Sequence, residues 1–140
     1  MKTMTFLLLC LLLGFSMTQL SAQTLQKGAV IGFHNGTFIP NPDVTMNQCL
    51  NFFKDKYLPE WEKNFPGMKA FLLKGVRGEC IDCISFMMLF QSDDIRNKYW
   101  KDEGVYTELG SAAYEKMKPV RSEMAKFGKM VDKYTDWVIQ

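Results

Sequence analysis

The chain carries a single histidine, His34, and that scarcity removes several chemistries at once. No His-x-x-x-His and no second close cysteine pair accompanies it, so there is no zinc pattern and no metal site is expected. A Ser/His/Asp triad would rest on His34 alone, without a nucleophile elbow to support it. There is no Gly-rich loop to cradle phosphates. Neither sign of charge dominates: 17 Lys and Arg stand against 15 Asp and Glu, interspersed as in "KDKYLPEWEK". That balance gives no reason to expect a nucleic-acid or membrane-surface partner. Beyond residue 15 no apolar run approaches the roughly 20 residues of a membrane-spanning helix. Internal repeats and low-complexity tracts are missing too.

What is present begins with "MKTMTFLLLCLLLGFSMTQLSAQ". It has one cation, Lys2, an apolar stretch from Phe6 to Phe15, and Leu20-Ser21-Ala22 before Gln23. That is the layout of a secretory leader cleaved after Ala22. The expectation is a leader, 1–22, followed by one domain, 23–140, in a secreted or periplasmic location with no membrane span after cleavage. Gln23 rather than a cysteine follows the small residues, which argues against a lipid anchor. Cys10 leaves with the leader, and Cys49, Cys80 and Cys83 remain.

Periodicity then orders the domain. "AVIGFHNGTFI" is rich in β-branched and aromatic residues and reads as a strand, with a turn or bulge at Asn35-Gly36 and an end at Pro40 and Pro42. Thr45 and Gln48 form a capping box. Met46, Cys49, Leu50, Phe53, Tyr57, Trp61 and Phe65 follow at three- and four-residue spacing, one face of a helix. Pro59 lies inside it and predicts a kink, or a restart near Glu60. "MKAFLLKGVRG" and "CISFMMLFQ" read as an antiparallel hairpin. Ser92 caps a helix that runs through Tyr99-Trp100 to a break at Glu103-Gly104. Thr107 caps another, Pro119 opens a third that Gly128 ends, and "YTDWVIQ" is the last strand.

The order is β-α-β-β-α(α)-β. It predicts an α+β fold of the split βαβ, ferredoxin-like kind, a four-stranded antiparallel sheet with helices on one face. The strand "CISFMMLFQ" is apolar on both faces: Ile84, Phe86, Met88 and Phe90 on one, Met87 and Leu89 on the other. Helices cover one face. Pairing two sheets covers the second, so a homodimer with a barrel-like centre is expected.

Residues 29–140 resemble the dimeric α/β-barrel group that includes the antibiotic-biosynthesis-monooxygenase-like proteins. The resemblance rests on "GFHNGTFIP…DVTMNQCLNFFKDKYLPEWEKNFPGMKAFLLKGVRGE", "FQSDDIRNKYWKDEGV" and "YTDWVI". The first stretch is similar to the strand–helix–strand opening of small secreted members of unassigned activity. The second is similar to their helix start after the third strand. The resemblance implies the fold and leaves the chemistry open, because the group spans cofactor-free oxygenases, haem-degrading enzymes and dehydratases. Haem-degrading members use an asparagine, a tryptophan and a helical histidine; this chain has Asn35 but no helical histidine. No cofactor is expected, and a haem on His34 is the one cofactor left open.

His34 shares a strand face with Val30 and Gly32. Facing a cavity it would be a general base or ligand contact; otherwise it is a histidine satisfied by a backbone carbonyl. Asn35, Tyr57, Trp61, Phe86, Met88, Tyr99 and Trp100 are the candidate pocket residues; for the aromatics and Met88, core packing is the plainer reading. Asn35-Gly36-Thr37 also matches a glycosylation sequon, relevant in a eukaryotic secretory pathway. The Cys80-x-x-Cys83 pair joins two strands, away from the helix N-terminus that activates thioredoxin-type thiols. In an oxidising compartment a disulfide is the default. Either Cys80–Cys83 staples the hairpin, or Cys49 bridges to one of them. Three functions follow as expectations: a protein binding or oxidising a small hydrophobic or aromatic molecule, a thiol-redox or metal-handling protein, or a structural protein with a filled core.

Overall fold

A computed structural model describes residues 25–140 apart from Asp82 and Glu103; the expected leader, 1–22, lies outside the described residues. Four long strands form one antiparallel sheet: β1 (Val30–Pro40), β2 (Met68–Lys74), β3 (Ile84–Phe90) and β6 (Gly128–Val138). Their order across the sheet is β2-β3-β1-β6. Every neighbouring pair is antiparallel, which is the ferredoxin-like arrangement of a split βαβ. Side chains alternate between faces. Val30, Phe38, Ile84, Phe86, Met88 and Phe90 are buried on the face that the helices cover. Among the described residues no helix is long and apolar enough to cross a membrane.

The Asn35-Gly36 turn or bulge is corrected. β1 pairs with β6 without a break from Val30↔Val138 to Pro40↔Gly128. An eleven-residue partner holds the chain straight where local residue types alone favour a bend. β6 therefore starts well before "YTDWVIQ". Gly128 opens it rather than ending the preceding helix, which stops at Met124.

The helical layer begins at α1 (Met46–Phe52). Its capping box is complete: the Gln48 side chain accepts from Thr45 N at 2.8 Å, and Gln48 N donates to Thr45 Oγ1 at 3.3 Å. Pro59 does break the helix, in a specific way. Residues Phe53–Tyr57 form a π turn, and α2 (Leu58–Asn64) restarts with Pro59 in its first turn. The Leu58 N–H reaches back to Phe53 O, one residue further than in an α-helix. The wider turn accommodates a residue that has no N–H and whose ring crowds the preceding turn. It also shifts the phase of the buried stripe, so Phe52 and Leu58 are buried beside Cys49, Phe53, Trp61 and Phe65.

β2 and β3 are the predicted hairpin, in register from Met68↔Phe90 to Lys74↔Ile84. The outer edge of β2 is not bare. Ala70 N donates to Glu62 Oε1 at 3.0 Å, and Lys69 Nζ bonds Glu62 Oε2 at 2.8 Å. After β3, Ser92 caps α3 (Asp93–Asn97) as predicted, but the helix ends before Tyr99. Trp100–Asp102 is a short strand, β4, paired with β5 (Val105–Tyr106). Its backbone oxygens are claimed from elsewhere. Thr107 Oγ1 donates to Lys98 O at 2.5 Å, Thr107 N to Tyr99 O at 2.9 Å, and Arg96 Nη1 to Trp100 O at 3.2 Å. A continuing helix would need those carbonyls itself. Thr107 then caps α4 (Glu108–Lys116), and α5 (Lys118–Met124) follows with Pro119 in its first turn.

Candidate functional site

Between the sheet and its helices lies a cavity of about 340 Å³. His34, Phe86 and Met88 form its floor, with Met130 and Tyr134 of β6 beside them. Tyr57, the last residue of the π turn, and Leu58 and Trp61 of the helix that follows form the roof. Trp100 and Tyr106 of the β4–β5 hairpin, with Tyr114 of α4, close one side. No Lys, Arg, Asp or Glu lines it among the described residues. The walls hold one another: Tyr106 stacks on Tyr114 at 4.8 Å, and Arg121 lies 3.7 Å over the outer ring of that pair. Trp100 stacks on Phe65 at 5.0 Å.

His34 faces the helices. It stands between Phe86 and Tyr134 in register, and its ring is 4.6 Å from that of Tyr134. The cavity it meets lies within one chain, between sheet and helices, and is not the space between two paired sheets. Tyr57, Trp61, Phe86, Met88 and Trp100 line the same cavity. Asn35 does not: the pleat turns it to the opposite face, exposed. Tyr99 does not either. It is buried behind the hairpin, and its hydroxyl donates to Pro66 O at 2.8 Å.

Sequence reasoning missed the polar group beside His34. The Tyr134 hydroxyl donates to Asp136 Oδ1 at 2.5 Å, and Asp136 Oδ2 pairs with Arg96 Nη2 at 2.7 Å. Arg96 is the buried charged residue among the described ones. Alternation along β6 puts Met130, Tyr134 and Asp136 on one face. That signal was hidden because the strand reads as starting only at Tyr134.

Burial raises three of the phenols. Tyr106 is pushed up to about 12, mainly by loss of water and then by Tyr114. Tyr134 is raised by burial and by its bond to Asp136, and Tyr99 by burial. A raised folded-state value means stability that is complete below the unfolded value, about 10, and lost as pH climbs through the folded one. The expected result is an alkaline transition beginning above about pH 10, in which tyrosinate absorbance and loss of helical circular dichroism rise together. Ionisation of Tyr99, Tyr106 and Tyr134 near pH 10 with the fold intact would contradict it.

The cysteines lie elsewhere. Cys80 and Cys83 sit at disulfide distance and are bonded, Cα atoms 5.4 Å apart, in the β2–β3 link. Gly75 N donates to Cys83 O at 2.9 Å and closes that link. Cys49 is a buried thiol apart from them, its Sγ 3.9 Å from Phe127 O. Among the described residues no three His, Cys, Asp or Glu side chains gather as a metal site would require. Compared with known proteins, the chain matches no family model, no curated protein and no solved structure.

Proposed function

We propose that the protein is a monooxygenase-like dimeric α/β-barrel protein that binds a small hydrophobic or aromatic molecule in this cavity. One observation carries the reading: a partly open, largely apolar space with aromatic walls, no Lys, Arg, Asp or Glu lining it among the described residues, and His34 and Tyr134 side by side at its floor. Its size falls at the lower end of small-molecule sites, about 300–1,000 Å³. The enzyme form of the reading adds dioxygen as oxidant and His34 as the base beside the bound molecule. A haem is the poorer occupant, because the space is small and no cation lines it to meet propionates. The filled-core reading needs a solid interior, and the thiol-redox reading needs an activated pair. Neither draws support from an open cavity and a cysteine pair between two strands.

The same reading includes a homodimer. Ile31, Phe33, Phe71, Met87 and Trp137 share the sheet face turned away from the helices, with Leu89 on the same face already buried within one chain. Phe71 and Trp137 are 39% and 60% exposed. A second copy offers a matching apolar surface, and a twofold closes it on itself.

Binding is tested with naphthalene and 2-naphthol. Trp61 and Trp100 line the cavity, so either probe is expected to quench tryptophan emission saturably. Met88→Trp, which fills the floor, should abolish the effect. His34→Ala should weaken 2-naphthol binding about tenfold, the loss of one hydrogen bond. Absence of saturable quenching by both probes removes the pocket reading.

A further inference from the structure

At the polar end of the cavity the Tyr134 hydroxyl has a fixed direction of hydrogen bonding. A phenol has one proton, and that of Tyr134 is committed to Asp136 Oδ1. Asp136 cannot return a proton, because its other oxygen is held by Arg96, whose side chain is 8% exposed. Arg96 is itself anchored on Trp100 O. Arg96, a donor only, also bonds the phenol oxygen, so what Tyr134 retains for a ligand is its remaining lone pair. Gly32 makes the placement possible. A Cβ there would lie 2.6 Å from the Tyr134 hydroxyl oxygen, so the phenol crosses β1 only where a side chain is missing. The ring then rests beside His34 at the cavity floor.

We propose that Tyr134 sets the specificity of the cavity as a hydrogen-bond acceptor, selecting neutral apolar molecules that carry an O–H or N–H over the same molecules with that donor capped. Arg96 and Asp136 are positioning residues that act through Tyr134. The inference rests on the reading that the cavity takes a ligand, and it names the chemistry of that ligand. Burial and the Asp136 carboxylate keep Tyr134 a neutral phenol, so it stays an acceptor without becoming an anion. The lining carries no charge that would favour an ionised ligand. At this end of the cavity a molecule that lacks a donor is disfavoured, because the Tyr134 acceptor is left unpaired.

The test compares 2-naphthol with 2-methoxynaphthalene, which share an aromatic body and differ in the donor. The full chain after leader removal should bind 2-naphthol about tenfold or more tightly, read by tryptophan quenching. Tyr134→Phe should erase the preference and leave 2-methoxynaphthalene binding nearly unchanged. Asp136→Asn offers an amide N–H to the phenol oxygen and frees the phenol proton. It should shift the preference toward the methoxy compound, whereas a merely structural role would weaken both equally. Equal binding by the wild-type protein, or a preference that survives Tyr134→Phe, overturns the inference and leaves the cavity reading intact. Failure of both probes to bind overturns the two together. Should Tyr134→Phe not fold, the wild-type ratio and Asp136→Asn still decide.

Discussion

Phe53→Ala should cost the domain about 3–5 kcal/mol, the largest loss from a single side chain in this fold. Phe53 is completely buried at the first position of the π turn. Its ring meets Phe38 of β1 and Phe86 of β3, each at 4.9 Å, and Tyr57 and Phe52 of its own helix at 5.5 and 5.7 Å. Two strands and the helical break therefore share one ring. Edge-on aromatic contacts add roughly 0.5–1.5 kcal/mol each to the burial itself. The surroundings cannot collapse into the space, because each neighbour is fixed by a strand or by the π turn. Against a typical total of 5–15 kcal/mol, the variant stays folded only marginally. Thermal melting should fall by roughly 10–20 °C. Val76→Ala, at a site 76% exposed, is the control and should change stability by less than about 0.5 kcal/mol. Chemical denaturation giving less than about 1.5 kcal/mol for Phe53→Ala would mean that the ring is not shared in this way.

Met87→Glu should separate the proposed dimer without unfolding the chain. Met87 sits mid-face on β3, paired in register with Phe71 on one side and Phe33 on the other. Its side chain points away from the helices, so the substitution leaves the helix-covered core untouched. In a face-to-face dimer the carboxylate would be buried against apolar side chains with no partner, at a cost of several kcal/mol. Dimer dissociation should rise at least a thousandfold, about 4 kcal/mol. Sedimentation velocity at tens of micromolar should show the mass halve, with an unchanged circular dichroism spectrum. A wild-type chain that sediments as a monomer at that concentration would end the dimer proposal.

Local rules made the fold legible. Thr45, Ser92 and Thr107 cap the helices they were expected to cap, because each side-chain oxygen meets a backbone N–H within three residues. The four main strands and their antiparallel hairpin follow from residue type and short links. The departures are tertiary. β1 runs straight through Asn35-Gly36 because β6 pairs with all of it. The helix after Ser92 stops early because Thr107 and Arg96 take its carbonyls. In the site, helical and strand spacing pointed to Tyr57, Trp61, Phe86, Met88 and Trp100, which the structure brings around His34. Asn35 was assigned beside its neighbour His34, although adjacent strand residues face opposite ways. Tyr134 and Asp136 escaped because their meaning depends on Arg96, which lies 38 and 40 positions away in the chain and adjoins them only in space.

Glu62 has a consequence for how copies of this chain meet. By taking the Ala70 N–H and holding Lys69 across the margin of β2, it occupies a place where an incoming strand would dock. Lateral growth of the sheet, strand upon strand, is opposed at that margin. In the proposed dimer the broad apolar face is the meeting ground, and a face consumed by one partner has nothing to offer a third. Growth strand upon strand is then confined to the opposite margin, β6.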